Sequence, residues 1–194
     1  MYTEAISNLS HAENHSTAII AGGCFWCVDT IFKRLKGVKR AISGYSGGTA
    51  ETADYELVCS KQTKHAEAVL VDYDPSIISY EQLLKIFFTV HNPTTPNRQG
   101  NDVGPQYRSA IFYLDDEQQA IAQKVIDGYA ADLWDDPIVT ELSSFDTFYV
   151  AEDYHQGYFE RVGNRNPYCS IVIAPKVNKA RKAFAHLMQD ETVS

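Results

Sequence analysis

A chain of 194 residues with 17 Lys and Arg against 25 Asp and Glu has a net charge of −8, which excludes nucleic acid as a main partner because phosphate binding needs a basic surface. Its hydrophobic share of 44% is that of an ordinary globular protein, at a length that builds a core without disulfide staples. No stretch approaches the roughly 18 consecutive apolar residues of a membrane span, and Met1 to Ser16 has neither the basic nor the apolar segment of a secretory signal. The expectation is therefore a cytoplasmic protein that does not bind membranes. Its four cysteines should be reduced, catalytic or buried.

Residues 1–16 are polar and read as a flexible N-terminal extension, with 17–194 as one catalytic domain. Ser16 to Ala21 is short, β-branched and apolar, as a buried strand should be, and Gly22-Gly23 breaks it. Val28, Ile31, Phe32 and Leu35 then recur at helical spacing up to Gly37, which places Cys24 at a helix N-terminus. Val38 to Tyr45 and Ala66 to Tyr73 read as strands. Ser79 to His91 reads as a helix with a Ser79–Gln82 capping box and an inner face of Leu83, Leu84, Ile86 and Phe87. The stretch 92–107, rich in Pro, Gly and Asn, is long for a structureless loop and so suggests function.

Beyond it the pattern predicts a strand from Arg108 to Leu114 and a helix from Glu117 to Leu133, with Asp115 and Asp116 suited to its start. A short strand follows from Pro137 to Leu142. An aromatic, polar stretch from Ser143 to Tyr168 carries a helical turn near Asp153 to Glu160. A basic amphipathic helix runs from Pro175 to Met188. Strands and helices alternate without a Gly-rich phosphate fingerprint. The fold class is therefore α+β, a mixed and largely antiparallel sheet with packed helices in a two-layer sandwich and long irregular loops.

A thiol acts as a nucleophile when it ionises, and a helix N-terminus stabilises the thiolate at Cys24. Cys27, one turn on, leaves three readings open: a redox pair, one catalytic and one buried thiol, or half of a zinc site. Zinc needs about two further ligands, and Cys59 and Cys169 lack paired spacing. Phe25 and Trp26 directly follow Cys24. Two large aromatics are hard to bury within a first turn, so they either wall an apolar pocket beside the thiol or wedge against the sheet.

Six ordered motifs carry a resemblance. They are Gly23-Cys24-Phe25-Trp26, Gly44-Tyr45-Ser46-Gly47-Gly48, Tyr55 with Val58-Cys59-Ser60, His65-Ala66-Glu67-Ala68-Val69, the loop runs Asn97 to Asp102 and Gln106 to Ser109, and Ala151 to Gln156. Together, from about Thr17 to Arg181, they resemble the A-type peptide methionine sulfoxide reductases. The resemblance implies that Cys24 attacks the sulfoxide sulfur, that Phe25 and Trp26 hold the S-methyl group, and that Glu67 protonates the oxygen. It implies Tyr55 and Tyr107 as hydroxyl donors to that oxygen, and Asp102 as a polar partner of the substrate or the site. It also implies action on the S epimer, free or in proteins, and recycling by thioredoxin, for which dithiothreitol can substitute. No bound cofactor or metal is expected, and the chain is expected to be a monomer. Cys24 would be left as a sulfenic acid and resolved by a second thiol. Cys169 matches the family's resolving position, with turn-rich flanks to deliver it, whereas Cys27 is adjacent by spacing; the family position slightly favours Cys169.

The chain departs from the family at Thr52-Ala53-Asp54, where many members have Asn-Pro-Thr, at Lys64 in place of glycine, and at Pro167-Tyr168-Cys169, where a helix follows in place of a Gly-rich tail. Two other activities fit parts of the pattern. One is a general thiol-disulfide oxidoreductase using Cys24 and Cys27. The other is a module that binds oxidised or Met-rich peptides through Phe25 and Trp26 without catalysis.

Overall fold

The apolar runs at 16–22, 38–46 and 66–73 become the interior of one sheet. The computed structural model describes residues 4–7, 9 and 15–189. Its strands are β1 (Ala5–Ile6), β2 (Ser16–Gly22), β3 (Val38–Ser46), β4 (Ala66–Tyr73), β5 (Arg98–Gln99), β6 (Asp102–Val103), β7 (Ser109–Tyr113), β8 (Glu141–Ser144) and β9 (Phe148–Val150). Seven of them form the sheet in the order β1-β9-β3-β4-β2-β7-β8, while β5 and β6 make a separate hairpin within the long loop. Every pairing in the main sheet is antiparallel except that of β7 with β8. The sheet is thus mixed and largely antiparallel, with helices packed on it, in the α+β class expected.

The helices are α1 (Phe25–Phe32), α2 (Tyr55–Cys59), α3 (Tyr80–Val90), α4 (Asp116–Val125), α5 (Ala131–Leu133), α6 (Tyr158–Val162) and α7 (Ala174–Ala183). Helix α1 lies on β2, β3 and β4; α7 packs against it, and α3 packs against α7. The side chains Leu83, Leu84, Ile86 and Phe87 of α3 are wholly buried, and both halves of the Ser79–Gln82 capping box are present. Strand β4 lies inside the sheet with all eight residues buried. Alternation then sorts its side chains by face. Val69 and Val71 join the core under the helices, while Ala66, Ala68 and Leu70 join a smaller cluster with Ile19, Phe112 and Phe148 on the other face. Glu67 has the parity of Val69, so it points beneath the helices.

Several expectations change. A carboxylate in a strand is usually a solvated edge residue, but Glu67 lies on β4, an inner strand. Ala5 and Ile6 of the N-terminal extension pair with Tyr149 and Phe148 as an edge strand. The remainder of that extension, residues 1–3, 8 and 10–14, lies outside the described residues, as do 190–194. The strand expected at Pro137 begins at Glu141; before it the Val139 N–H donates to the Pro93 carbonyl in the long loop instead of to a sheet neighbour. Strand β9 went unforeseen: three residues carry no period, and only pairing with β3 and β1 makes them a strand. The C-terminal helical stretch starts before Pro175, with a π-helical turn over Cys169–Ile173. Such a wide turn accommodates a proline that lacks the N–H of a regular helix. Among the described residues no helix is long and apolar enough to cross a membrane.

Candidate active site

The turn from β2 into α1 sets the site. Gly23 has φ +90, and a Cβ there would lie 2.5 Å from Cγ of Gln99. Only glycine fits both that backbone and that contact. The close approach is to Gln99, whose amide is tied to the backbone of Asn92 in both directions. Gly23 therefore brings the long loop against the start of α1, rather than clearing space for a ligand.

Cys24 is the N-cap of α1 and makes no side-chain cap bond. It opens on a cavity of about 200 Å³ that is also lined by Phe25, Trp26, Tyr55, Glu67, Asp102, Tyr107 and Tyr168. All seven catalytic and methyl-binding candidates from the sequence thus meet at one place. They come from separate parts of the fold: α1 and its N-cap, the first turn of α2, the inner strand β4, the β5–β6 hairpin, and the short helical turn Pro105–Tyr107. Asp54 replaces the family's threonine before Tyr55 and caps the helix there. Its carboxylate accepts from the backbone N–H groups of Glu56 and Leu57, fixing Tyr55 at the start of α2.

Electrostatics depart from expectation at the nucleophile. Cys24 is only 7% exposed, and burial pushes its thiol well above the usual range; its hydrogen bond with Cys27 and the charge of Glu67 push the same way. The Trp26 backbone N–H alone opposes them. Desolvation outweighs the helix terminus, so Cys24 rests as a thiol. Cys27 is drawn down by its hydrogen bond with Cys24, against burial, and by Lys176 and Tyr168. Glu67 is 2% exposed, and burial raises its pKa to about 8 despite the hydrogen bond its Oε2 accepts from the Phe25 backbone N–H at 3.0 Å. At neutral pH it is a carboxylic acid with a proton to give. Burial also raises Tyr55 and Tyr107, which keeps both hydroxyls protonated as donors.

Asp102 is engaged by the protein itself: it accepts from the Tyr168 hydroxyl at 2.7 Å. Tyr168 is a pocket residue that sequence reasoning did not select; its one signal was its place beside Cys169. Cys169 itself is wholly buried in the π-helical turn, and the flank before it contains a short helical turn over Gly163–Arg165. Cys27 is 1% exposed, does not line the cavity, and its N–H donates to the Cys24 carbonyl at 3.0 Å. Cys59 is half-buried beside Tyr55, whose hydroxyl is hydrogen-bonded to it. Among the described residues no group of three or more His, Cys, Asp and Glu is placed to hold a metal.

Comparison with known proteins agrees with this arrangement. The family model described as peptide methionine sulfoxide reductase matches residues 16–188. A peptide methionine sulfoxide reductase MsrA of Chromobacterium violaceum is 51% identical over 174 residues, spanning 89% of this chain and 98% of the relative. One from Sulfolobus acidocaldarius is 52% identical over 167 residues, spanning 86% and 94%. Among solved structures, Mxr1 from Saccharomyces cerevisiae in reduced form superposes with a TM-score of 0.73 at 29% identity, covering 80% of this chain and 91% of that one.

Proposed function

The chain belongs to the peptide methionine sulfoxide reductase family and reduces methionine sulfoxide through a thiol, and on that premise we propose how its residues share the work. The observation that carries the proposal is the cavity holding the Cys24 thiol, a neutral buried Glu67 and an aromatic wall together. The S-methyl group lies on Phe25 and Trp26. The sulfoxide oxygen takes hydrogen bonds from Tyr55 and Tyr107, donors placed as in an oxyanion hole. Glu67 passes its proton to that oxygen as the Cys24 sulfur attacks the substrate sulfur. The thiol proton of Cys24 replaces the one Glu67 gave. Methionine leaves, and Cys24 keeps the oxygen as a sulfenic acid.

We assign Cys27 as the first resolving thiol in preference to Cys169, reversing the family-based preference. Its sulfur is hydrogen-bonded to Cys24 and drawn toward ionisation, whereas Cys169 is held in a packed helical turn. Attack of Cys27 on the sulfenic sulfur forms the Cys24–Cys27 disulfide and releases water. An external dithiol of the thioredoxin class then returns both thiols. The S epimer is the expected substrate, free or within proteins. A general protein disulfide exchanger has no use for a neutral carboxylic acid beside its sulfur, whereas Glu67 next to Cys24 and the aromatic wall suits an oxygen-bearing, methylated sulfur.

The test adds one equivalent of a methionine sulfoxide peptide without reductant, follows loss of one oxygen mass from the peptide, then blocks free thiols and maps the bridge. One methionine per enzyme with a Cys24–Cys27 bridge is the expected result. A first product bridging Cys24 to Cys169 would overturn the resolving assignment, and no methionine would overturn the site.

A further inference from the structure

The motif Ala151 to Gln156 is left without chemistry by this reaction, yet it braces the pocket from behind. Glu152 accepts from the Tyr55 backbone N–H at 3.0 Å and from the Tyr45 hydroxyl at 2.8 Å. The side-chain amide of Gln156 bonds the backbone of Ser43 on β3 in both directions at 2.9 Å. The Gly157 N–H donates to Asp29 on α1 at 3.2 Å. Between these anchors stands His155, 1% exposed at the end of a short helical turn.

Its imidazole is a hub for the pocket walls. The ring centroid lies 5.0 Å from that of Phe25, 4.4 Å from Tyr55 and 5.7 Å from Trp26. The Trp26 indole Nε1–H donates to His155 Nδ1 at 3.1 Å. An indole N–H can only donate, so Nδ1 carries no proton and the neutral ring bears it on Nε2. Nε2 is buried without a hydrogen-bond partner, with Glu152 Oε2 at 3.7 Å. Tyr158 holds the indole by its face: the two rings lie 3.8 Å apart at an interplanar angle of 6°. Stacking leaves the indole free to turn in its own plane, and the bond to His155 removes that freedom.

We infer that His155 is a positioning residue for the reaction: its Nδ1 holds the Trp26 indole in the one orientation that walls the cavity beside Cys24, with Glu152 fixing the opposite wall through Tyr55. This rests on the reading of Phe25 and Trp26 as the seat of the S-methyl group.

His155→Phe keeps a ring of similar size and removes the acceptor; His155→Asn offers an acceptor oxygen on a shorter side chain. The chain has two tryptophans, so Trp134→Phe assigns the two indole N–H resonances in a ¹H–¹⁵N spectrum. In His155→Phe the Trp26 indole resonance should shift, and KM for a methionine sulfoxide peptide should rise about 2- to 10-fold, the loss expected for one hydrogen bond. The saturated single-turnover rate should stay within about twofold, since binding and not chemistry is affected. His155→Asn should recover most of the KM. An unmoved indole resonance overturns the inference, as does a lower saturated rate with unchanged KM. If His155→Phe does not fold, the same readings on His155→Leu, which also lacks an acceptor, decide. Trp26→Ala run in parallel separates the two claims. If it raises KM while His155→Phe shifts the indole without raising KM, the wall stands and the positioning role falls. If Trp26→Ala leaves KM unchanged, the wall reading falls, and the indole resonance alone decides whether His155 fixes the ring.

Discussion

Replacing Glu67 with glutamine tests the site through stability as well as rate. The burial that makes Glu67 an acid raises its pKa from 4.5 to about 8. A raised native pKa means the folded state binds the proton more tightly than the unfolded chain. The stabilisation this gives is complete below about pH 4.5 and is lost as pH rises toward 8. At about 1.4 kcal/mol per pH unit, most of that interval amounts to roughly 3 kcal/mol between about pH 5 and 8. The glutamine side chain would keep an oxygen for the Phe25 N–H but carries no titrating proton. Urea unfolding of both proteins, fully reduced, at several pH values from about 5 to 8 gives the difference directly. The gap should widen with pH, in favour of the Glu67→Gln variant, by about 3 kcal/mol. In the same proteins the wild-type single-turnover rate should fall as pH rises through about 8, where the acid ionises. The variant should be slower by roughly 10²–10⁴ and insensitive to that titration. Parallel stability curves would refute the buried, neutral acid, and a wild-type rate flat well above pH 8 would refute its role as donor.

Other perturbations follow from the same geometry. Cys24→Ser should release no methionine in a single turnover, whereas Cys27→Ser and Cys59→Ser should each release one per enzyme; product from the Cys24 variant, measured by peptide mass, would sink the nucleophile. Trp26→Ala should raise KM and also lower the melting temperature, because its ring packs on Tyr158 and His155; lost stability at unchanged KM would leave it a purely structural wedge. Tyr168→Phe removes the hydroxyl that Asp102 accepts, leaving that carboxylate short of a partner. It should slow turnover far less than Glu67→Gln, and an equal loss would mean the hydroxyl takes part in chemistry. Asp54→Ala should cost about 1 kcal/mol, the usual loss of an N-cap, and weaken binding through Tyr55; an unchanged chemical melt would show the cap to be idle.

Sequence alone carried the fold class, because periodicities of two and 3.6 reflect which faces are buried, and the runs at 16–22, 66–73 and 80–90 were long enough to show them. It also carried the family, since six motifs in one order are improbable without shared descent. Short elements escaped it. Strand β9 and the hairpin β5–β6 exist only through partners distant in the chain or within a turn, and strands of two or three residues have no period. Protonation states escaped it too. The helix start at Cys24 argued for a thiolate, and only the resemblance, not the local pattern, marked Glu67 as a proton donor. Local pattern falls short at both for one reason: the cost of a charge is set by how much water the surrounding chain removes, and that becomes a property of the residue only after α1 has closed over β4. The bond from Trp26 to His155 spans 129 positions, and the one from Tyr55 to Glu152 spans 97. Local pattern has no way to encode such pairings; packing of the loop after β9 against α1 and α2 decided them.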